Sequence, residues 1–407
     1  MSAGPVLLLR NALGLLIFMS TSPLIAQNWT STSAPTTNWH CIASSADGQR
    51  IVAGGHFTLH TSTNAGATWT AVKYPFNSLV TATSSSDGSH LAVGSWHGSI
   101  HSSTNFGGTW INLGQPVDSL EWIASSADGK RLVGGGRNVC ISTNAGLTWI
   151  TTSLPLLPYQ FPNSIMYSSI ASSADGTKLV ALVWGTNYGI FTSVDSGDTW
   201  TRSNAPTNGY GWYSVASSAD GNKLVATKQT TLGYGEIYVS SDCGTNWTQT
   251  GPTAPSRWRV ASSDDGSRLY AASSYTNGIY MSYDSGATWT KTDAPSEEWT
   301  AIACSGDGSI GMAVVFGGGP SRPFGGLIYT GAEHPYLNIL KQESDTARIS
   351  WPHLSSAAGF RLQQNSNFNT VGWVDVFSTV TITNDFYQTV VALSQGNQFF
   401  RLRKSSQ

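Results

Sequence analysis

Charged side chains are scarce in this chain of 407 residues. Asp, Glu, Lys and Arg together make up 11% of the sequence, the formal net charge is −2, and no block of basic residues occurs. Proteins that bind nucleic acid neutralise its phosphates with a basic patch. The composition therefore predicts that nucleic acid is not a partner.

Cysteine is also scarce, and its spacing excludes the usual metal motifs. The four cysteines are Cys41, Cys140, Cys243 and Cys304, and no two of them form a C-x-x-C pair. Structural zinc sites draw their ligands from closely spaced Cys and His residues. We therefore predict no metal, no cofactor and no particular disulfide pairing.

Long apolar runs are missing, apart from a short one near the N-terminus. Residues Ala12 to Met19 are apolar, follow Arg10 and precede a small-residue stretch that ends at Ala26. This order is typical of a secretory signal, and the run is shorter than the ~20 residues of a membrane-spanning helix. The sequence predicts a signal peptide over 1–26, a secreted, periplasmic or cell-surface protein, and no membrane span in the mature chain.

Glycine, by contrast, is abundant, with 43 residues, and much of it belongs to a repeat. The octet Ser/Thr-x-Asp/Asn-x-Gly-x-Thr/Asn-Trp occurs six times at intervals of roughly one propeller blade. Its Asp or Asn can accept hydrogen bonds from nearby backbone amides, its Gly permits a positive φ, and its Trp enters the next strand. The acceptor residues of the six octets are Asn64, Asn105, Asn144, Asp195, Asp242 and Asp284.

A second repeat alternates with the first and gives the number of blades. It ends in Asp-Gly, a hairpin turn signal when it lies between two apolar runs. Each repeat then contains four strands, A to D, as a propeller blade does. The sequence contains seven Asp-Gly pairs but six octets, and the residues around Trp29 resemble those of strand D. We therefore predict seven blades, with the N-terminal strand Asn28 to Ser33 pairing with Leu327 to Thr330. The aspartates of the pairs are Asp47, Asp87, Asp128, Asp175, Asp220, Asp265 and Asp307.

The octet resembles the Asp-box of the BNR and sialidase-like propellers, over about Asn28 to Gly331. Seven blades are closer to the photosystem II assembly-factor-like repeat proteins than to six-bladed sialidases. The resemblance implies an all-β propeller over 27–332. It does not fix the function, because members of this superfamily include enzymes, receptors and assembly factors.

From Tyr336 onward the sequence pattern changes, and neither the octet nor the Asp-Gly repeat occurs again. Short runs with period-two alternation predict a small β-sandwich over 336–407. The phrases around Gly359 and Gln398 resemble the immunoglobulin-like or fibronectin-like tails of secreted bacterial proteins. Predicted strands cover Ala347 to Trp351, Gly359 to Gln364, Trp373 to Phe377, Thr389 to Leu393 and Gln398 to Arg403.

The candidate binding residues lie on the face that carries the D–A and B–C connections. The A–B and C–D turns share the other face, so the Asp-boxes are predicted to be structural. Aromatic rings present rigid area at low entropic cost and suit protein or sugar surfaces. In addition, the connection from the Asp-box Trp to the next Asp-Gly is 26 residues long between Trp149 and Asp175, whereas it is 18 residues long in five of the seven connections. The extra residues are apolar and rich in proline. The candidates are Tyr159, Phe161, Trp184, Tyr188, Trp96, Tyr234 and Tyr275.

Two functional hypotheses follow from this face. The first is a secreted, monomeric, non-catalytic scaffold for an unidentified protein or glycan ligand, with no catalytic residue. The alternative is a glycoside hydrolase, sialidase-like or other, which needs two suitably spaced carboxyls. Sialidases clamp a carboxylate with three arginines, but their Phe/Tyr-Arg-Ile-Pro motif is absent. Arginines and carboxylates on this face include Arg137, Arg257, Arg259, Arg322, Asp118, Glu121, Glu236, Asp293, Glu297 and Glu298.

Overall fold

The computed structural model describes most of the chain, and all structural statements below refer to that part of it. Every regular element in it is a β-strand, which confirms the predicted all-β class. The described residues are 7–9, 27–73, 78–115, 120–136, 138–152, 166–184, 189–275, 277–317, 325–333, 338–341, 346–352, 360–365, 374–376, 379–383, 386–392 and 398–404.

Twenty-eight of the strands form seven antiparallel blades in the order A-B-C-D from the channel axis outward. The A strands are Trp39–Ser44, Leu79–Ser84, Leu120–Ser125, Met166–Ser172, Gly211–Ser217, Trp258–Ser262 and Trp299–Cys304. The B strands are Ile51–Gly55, Leu91–Ser95, Leu132–Gly136, Leu179–Trp184, Leu224–Gln229, Leu269–Ser273 and Ile310–Val315. The C strands are Thr58–Ser62, Ile100–Ser103, Val139–Ser142, Ile190–Ser193, Gly235–Ser240, Ile279–Ser282 and Ile328–Glu333. The D strands are Thr70–Ala71, Ile111–Asn112, Ile150–Thr152, Thr201–Arg202, Thr248–Ala254, Thr290–Lys291 and, in the seventh blade, Gln27–Ser31.

The seventh blade closes the ring with the N-terminal strand, as predicted. Strand Gln27–Ser31 lies beside Ile328–Glu333, and Thr32 donates its N–H to the carbonyl of Ile328 at 2.8 Å. Trp29 is buried there and packs against Tyr270 and Trp299, with ring centroids 6.4 and 6.2 Å away. Pairing the two ends of the propeller removes a free sheet edge.

The core lies within and between the blades, around tryptophans that open strand A. Trp39, Trp212, Trp258 and Trp299 are fully buried. Each packs edge-on against a strand C ring of its own blade, namely His60, Tyr238, Tyr280 and Tyr329, with centroids 5.1–5.6 Å apart. Trp212 and Trp258 are therefore core residues and not part of a binding surface.

A closed ring of seven backbone hydrogen bonds joins the A–B turns around the channel. In each blade, the residue before the Asp of the Asp-Gly turn donates its N–H to the matching carbonyl of the next blade, at 2.6–2.8 Å. The ring satisfies backbone groups that would otherwise remain unpaired at the narrow end of the channel. Its members are Ala46, Ser86, Ala127, Ala174, Ala219, Asp264 and Gly306.

A basic side chain covers the Asp-Gly turn of the following blade in most of the ring. Lys178 donates to the carbonyl of Asp220 at 2.9 Å, and Lys223 to that of Asp265 at 3.0 Å. Their methylene stems lie over the turn glycine, so a Cβ on Gly221 would come within 2.8 Å of Lys178. Glycine is required at these positions for two reasons: a Cβ would collide with the covering side chain, and the backbone has a positive φ. The seventh blade places Ile310 over Gly48 instead.

Two further four-stranded sheets belong to the unit formed by residues 1–28 and 332–407. They share a buried cluster of Ala347, Ile349, Leu362 and Val391, which is the predicted sandwich core. One sheet contains Asn338–Lys341, Thr346–Pro352, Phe386–Ala392 and Thr381–Thr383. The other contains Leu7–Leu9, Gln398–Lys404, Phe360–Asn365 and Val374–Asp375.

The N-terminal segment was predicted to be a signal peptide. Leu7 to Leu9 pair antiparallel with Gln398 to Phe400, and residues 1–6 and 10–26 lie outside the described part of the chain. Export and cleavage therefore stay predictions. No helix in the described residues is long and apolar enough to cross a membrane.

Candidate functional site

The Asp-box turns direct their polar groups inward, onto their own backbone. In the last turn, Asp284 Oδ1 accepts from Thr288 N at 2.8 Å and from the Ser282 hydroxyl at 2.8 Å. Ser282 in turn accepts from Gly286 N at 2.8 Å, and Trp289 donates to the carbonyl of Gly286 at 3.1 Å. The remaining Asp-boxes repeat the Ser and Asp or Asn contacts. Their side chains are thus committed to the turn.

Backbone strain also concentrates in these turns. The residue before the Asp-box glycine has a positive φ of 53–61° in all six copies, and the glycine itself has φ of 82–91°. Only the glycine was expected from the sequence. A left-handed conformation is unfavourable for a residue with a Cβ, so the side-chain hydrogen bonds offset local strain. The six residues are Ala65, Phe106, Ala145, Ser196, Cys243 and Ser285.

Several predicted binding residues are exposed on the opposite face, which we call the aromatic face. Trp96 is 56% exposed and lies on the B–C hairpin of blade two. Tyr234 and Tyr275, on the B–C hairpins of blades five and six, are 42% and 53% exposed. Trp184 ends strand B of blade four, and its side chain is outside the described set. Tyr159, Phe161 and Tyr188 lie outside the described residues altogether.

The aromatic face also includes large exposed residues that are not among the seven candidates predicted from the sequence. Phe57, on the B–C hairpin of blade one, is 71% exposed at φ 55° and stacks on His56 with ring centroids 5.2 Å apart. Ser78 hydrogen-bonds the His56 ring. Tyr210 and Leu232 are also exposed. Phe57 lies two residues after the end of strand B, and this position in the sequence indicates a residue of the B–C hairpin.

The channel opens onto this face, and the residue types around its opening differ from one blade to the next. In each blade, the residue after the large apolar side chain that opens strand A lies at this end, because strand A runs from here to the Asp-Gly turns. We call this set the channel mouth. Its described side chains are half-buried and differ in type from blade to blade. At the other end of strand A the last residue is Ser in six blades. The mouth residues with described side chains are His40, Val80, Glu121, Tyr213, Arg259 and Thr300.

Arg259 reaches across the channel from blade six. Its guanidinium carbon lies 4.7 Å from the Trp122 ring centroid in blade three and 4.1 Å from the Tyr213 ring centroid in blade five. Arg257 contacts the same tyrosine ring at 5.2 Å and donates to Gln229. Burial raises the pKa of the Glu121 carboxyl, and the Arg259 charge opposes that rise. Burial lowers the pKa of the Arg259 guanidinium.

Histidine and phenylalanine rings line the mouth on the side of blade one. The His40 ring lies 5.9 Å from His56 and 5.1 Å from Phe316, centroid to centroid. Burial lowers the pKa of His40, and the neighbouring His56 lowers it further. Across the described residues, no three His, Cys, Asp or Glu side chains come together as a metal site would require.

The narrow end of the channel is a polar cavity of about 160 Å³. Its walls are the final serines of the A strands, with Cys304 in the equivalent place in blade seven, and the backbone ring. The serine hydroxyls donate to carbonyls, as Ser44 does to Cys304 at 3.1 Å and Ser125 to Ser84 at 3.3 Å. This end therefore supports the ring and differs in chemistry from the mouth.

Comparison with solved structures places the fold among β-propellers. No protein-family model and no curated protein sequence matches the chain. YCF48 from Cyanidioschyzon merolae superposes with a TM-score of 0.55 at 15% identity, covering 74% of this chain and 98% of that one. A structure of YCF48 bound to D1 peptide gives 0.53 at 13% identity, covering 74% and 96%. Kuenenia stuttgartiensis hydrazine synthase gives 0.57 at 13% identity, covering 70% and 95%. The likeness to assembly-factor-like propellers is thus confirmed for the fold.

Proposed function

We propose that the chain is a secreted, non-catalytic propeller scaffold that binds a protein or glycan ligand on its aromatic face. The observation that carries the proposal is the concentration of exposed rings on the aromatic face. Phe57, Trp96, Tyr234 and Tyr275 come from four different blades and share one face, whereas the Asp-box side chains on the other face are bonded to their own turns. Exposed aromatic side chains on one surface are typical of recognition sites.

The comparisons support a binding role in a general way. YCF48, a propeller of the same architecture, has been solved bound to D1 peptide, so a protein with this fold can bind a peptide. Hydrazine synthase shares the fold as well, and the fold by itself does not decide between binding and catalysis.

The glycoside hydrolase alternative gains no support from the described carboxylates. Glu121 comes from blade three, Glu236 from blade five, and Glu297 from the connection before blade seven. Glu236 is engaged by the Lys228 ammonium at 3.7 Å and by the Tyr238 hydroxyl at 3.0 Å. A glycosidase needs two carboxyls free to act on one bond.

A comparison of two triple variants tests the proposal. The first, Trp96→Ser, Tyr234→Ser and Tyr275→Ser, removes exposed rings from the aromatic face. The second, Phe106→Ser, Leu147→Ser and Val194→Ser, removes exposed apolar side chains from the Asp-box face. Both are applied, with the unchanged protein, to a glycan array and to a displayed peptide library, and glycan hydrolysis is measured in parallel.

We expect ligands of the unchanged protein to be lost by the first variant and kept by the second. Equal loss in both, or turnover of a glycan that binds, would contradict a scaffold that uses the aromatic face. The long connection between Trp149 and Asp175 is part of the same proposal, because it carries Tyr159 and Phe161. Removing its eight surplus residues should leave the propeller folded, since loop length changes closure entropy only weakly, and should weaken binding about tenfold.

A further inference from the structure

We propose that the channel mouth is a binding site for a compact carboxylate, with the Arg259 guanidinium as its receptor. Two donor atoms of that guanidinium, Nε and Nη1, are enclosed and have no hydrogen-bond acceptor among the described residues. Nη2 is not among the enclosed atoms. Buried polar atoms are nearly always paired, and an unpaired charged donor costs free energy. Donors of this kind are suited to an anion.

The surrounding side chains hold the guanidinium in place without accepting hydrogen bonds from Nε or Nη1. The guanidinium carbon lies over the Trp122 and Tyr213 rings, and cation–π contacts of this kind supply no hydrogen-bond acceptor to its N–H groups. The two rings come from blades three and five, so the rigid ring of blades fixes their positions. A preorganised receptor loses little entropy when its ligand binds.

The charges at the mouth favour an anion. Arg257 and Arg259 both lie against the Tyr213 ring, at 5.2 and 4.1 Å. Glu121 is the nearby carboxylate that acts on Arg259 electrostatically, and it makes no ion pair with that guanidinium within the described structure. No ion pair to the Arg259 guanidinium occurs among the described residues, and its attraction for an anion is strengthened where water is partly excluded.

The geometry favours a carboxylate over a spherical anion. A guanidinium presents paired N–H groups in a planar fork that matches the two oxygens of a carboxylate. The ligand would accept from Nη2 and, after a small turn of the guanidinium, from one of the enclosed donors. The carboxylate could come from a free small acid or from a sugar acid, and both present the same group.

This inference rests on the proposed function only in assigning the same face to ligands, and it can be tested without the physiological partner. Isothermal titration of the full chain would use succinate and glucuronate as probes, with glucose and sodium chloride as comparators at matched ionic strength. Three variants accompany it: Arg259→Gln, Arg259→Lys, and Arg202→Gln as a control on an outer D strand.

We expect saturable binding of one or both acids, none of glucose, and at least about tenfold weaker binding to Arg259→Gln. Arg259→Lys should keep part of the affinity, since it retains charge without the fork, and Arg202→Gln should bind normally. Binding of both acids would identify the carboxylate alone as the ligand group, and binding of glucuronate only would identify a sugar acid. No saturable binding to the unchanged protein, or full binding to Arg259→Gln, would overturn the site.

Should Arg259→Gln fail to fold, as far-ultraviolet circular dichroism would show, a crystal of the unchanged protein soaked in succinate decides the matter. Succinate on the Arg259 guanidinium supports the proposal, and its absence from the mouth refutes it. Partner binding lost by the aromatic-face variant while carboxylates fail to bind would leave the proposed function intact and remove this site alone.

Discussion

Gly306 donates its backbone N–H to the carbonyl of Ala46 at 2.7 Å, which joins the last blade directly to the first. It is one of seven equivalent bonds, so the junction at which the chain ends meet has the same inner hydrogen bonding as every other junction. The junction differs in one respect, because Ile310 packs over the Asp-Gly turn at Gly48, where the other blades place a basic side chain. Closure there depends more on apolar packing, and above all on Trp29.

Trp29→Ala should destabilise the protein more than Trp247→Ala, which removes the Asp-box tryptophan of blade five. Trp29 fills a slot against Gly311 and Gly331, where an added Cβ would come within 2.8 and 2.5 Å of its ring. Removing a buried Trp costs roughly 3–5 kcal/mol in free energy of unfolding. Urea titration would measure it, with Trp247→Ala as the control, because Trp247 is only partly buried. A smaller loss for Trp29→Ala than for Trp247→Ala would contradict the closure argument.

Asp284→Ala should lower the free energy of unfolding by about 1 kcal/mol, the usual scale for a side-chain hydrogen bond, and leave any ligand binding unchanged. Asp284→Asn is the matched control, because three other Asp-boxes carry Asn64, Asn105 and Asn144 with the same contacts to the turn. Asn keeps the acceptor oxygen, so this variant should stay close to the original stability. Thermal denaturation distinguishes the two, and a loss of ligand binding without a change in melting temperature would show that the turn is itself a site.

Much of the propeller could be predicted because its signals are local and repeated. Asp-Gly and the Asp-box define hairpins within a few residues, and the seven copies of Asp-Gly give the number of blades. The pairing of Trp184 with Gly211, which joins blades four and five into one sheet, could not be predicted, because it depends on the angle between blades. The channel mouth was equally hidden: Trp122 and Tyr213 read as strand residues, and only the closed ring brings them onto Arg259, a residue of another blade.

The four cysteines should differ in reactivity toward iodoacetamide in the folded protein. All are free thiols. Burial raises the pKa of Cys41 and of Cys140 to about 12, and burial with nearby Asp264 raises that of Cys304 as well. Since the thiolate is the nucleophile, these three should stay unmodified under native conditions while Cys243, which is partly exposed, reacts first. Peptide mass mapping after timed labelling measures this order, and early modification of Cys41 would show that the core of blade one opens readily.

Acid should destabilise the propeller in two separate steps, the first of which belongs to histidine. Burial lowers the pKa of His40, His60 and His101 in the folded state, so the unfolded chain takes up protons first as pH falls. With an unfolded pKa of about 6.5, stability is full above that value and decreases as pH falls below it. The turn aspartates act later, because the pKa of Asp87 and of Asp175 is about 2, and their contribution is lost only below roughly pH 4.

The repeat itself supplies the variant that tests the histidine step. The positions of His60 and His101 on strand C are held by Phe191 and Tyr238 in blades four and five, so His60→Tyr with His101→Phe places residues there that this fold already accommodates. We expect the double variant to lose less stability than the original between about pH 7 and 5, while its loss below roughly pH 4 is unchanged. Urea midpoints measured across this range give both slopes. Equal slopes in the upper window would show that these two histidines do not set the acid sensitivity, and a change confined to the lower window would assign it to the aspartates alone.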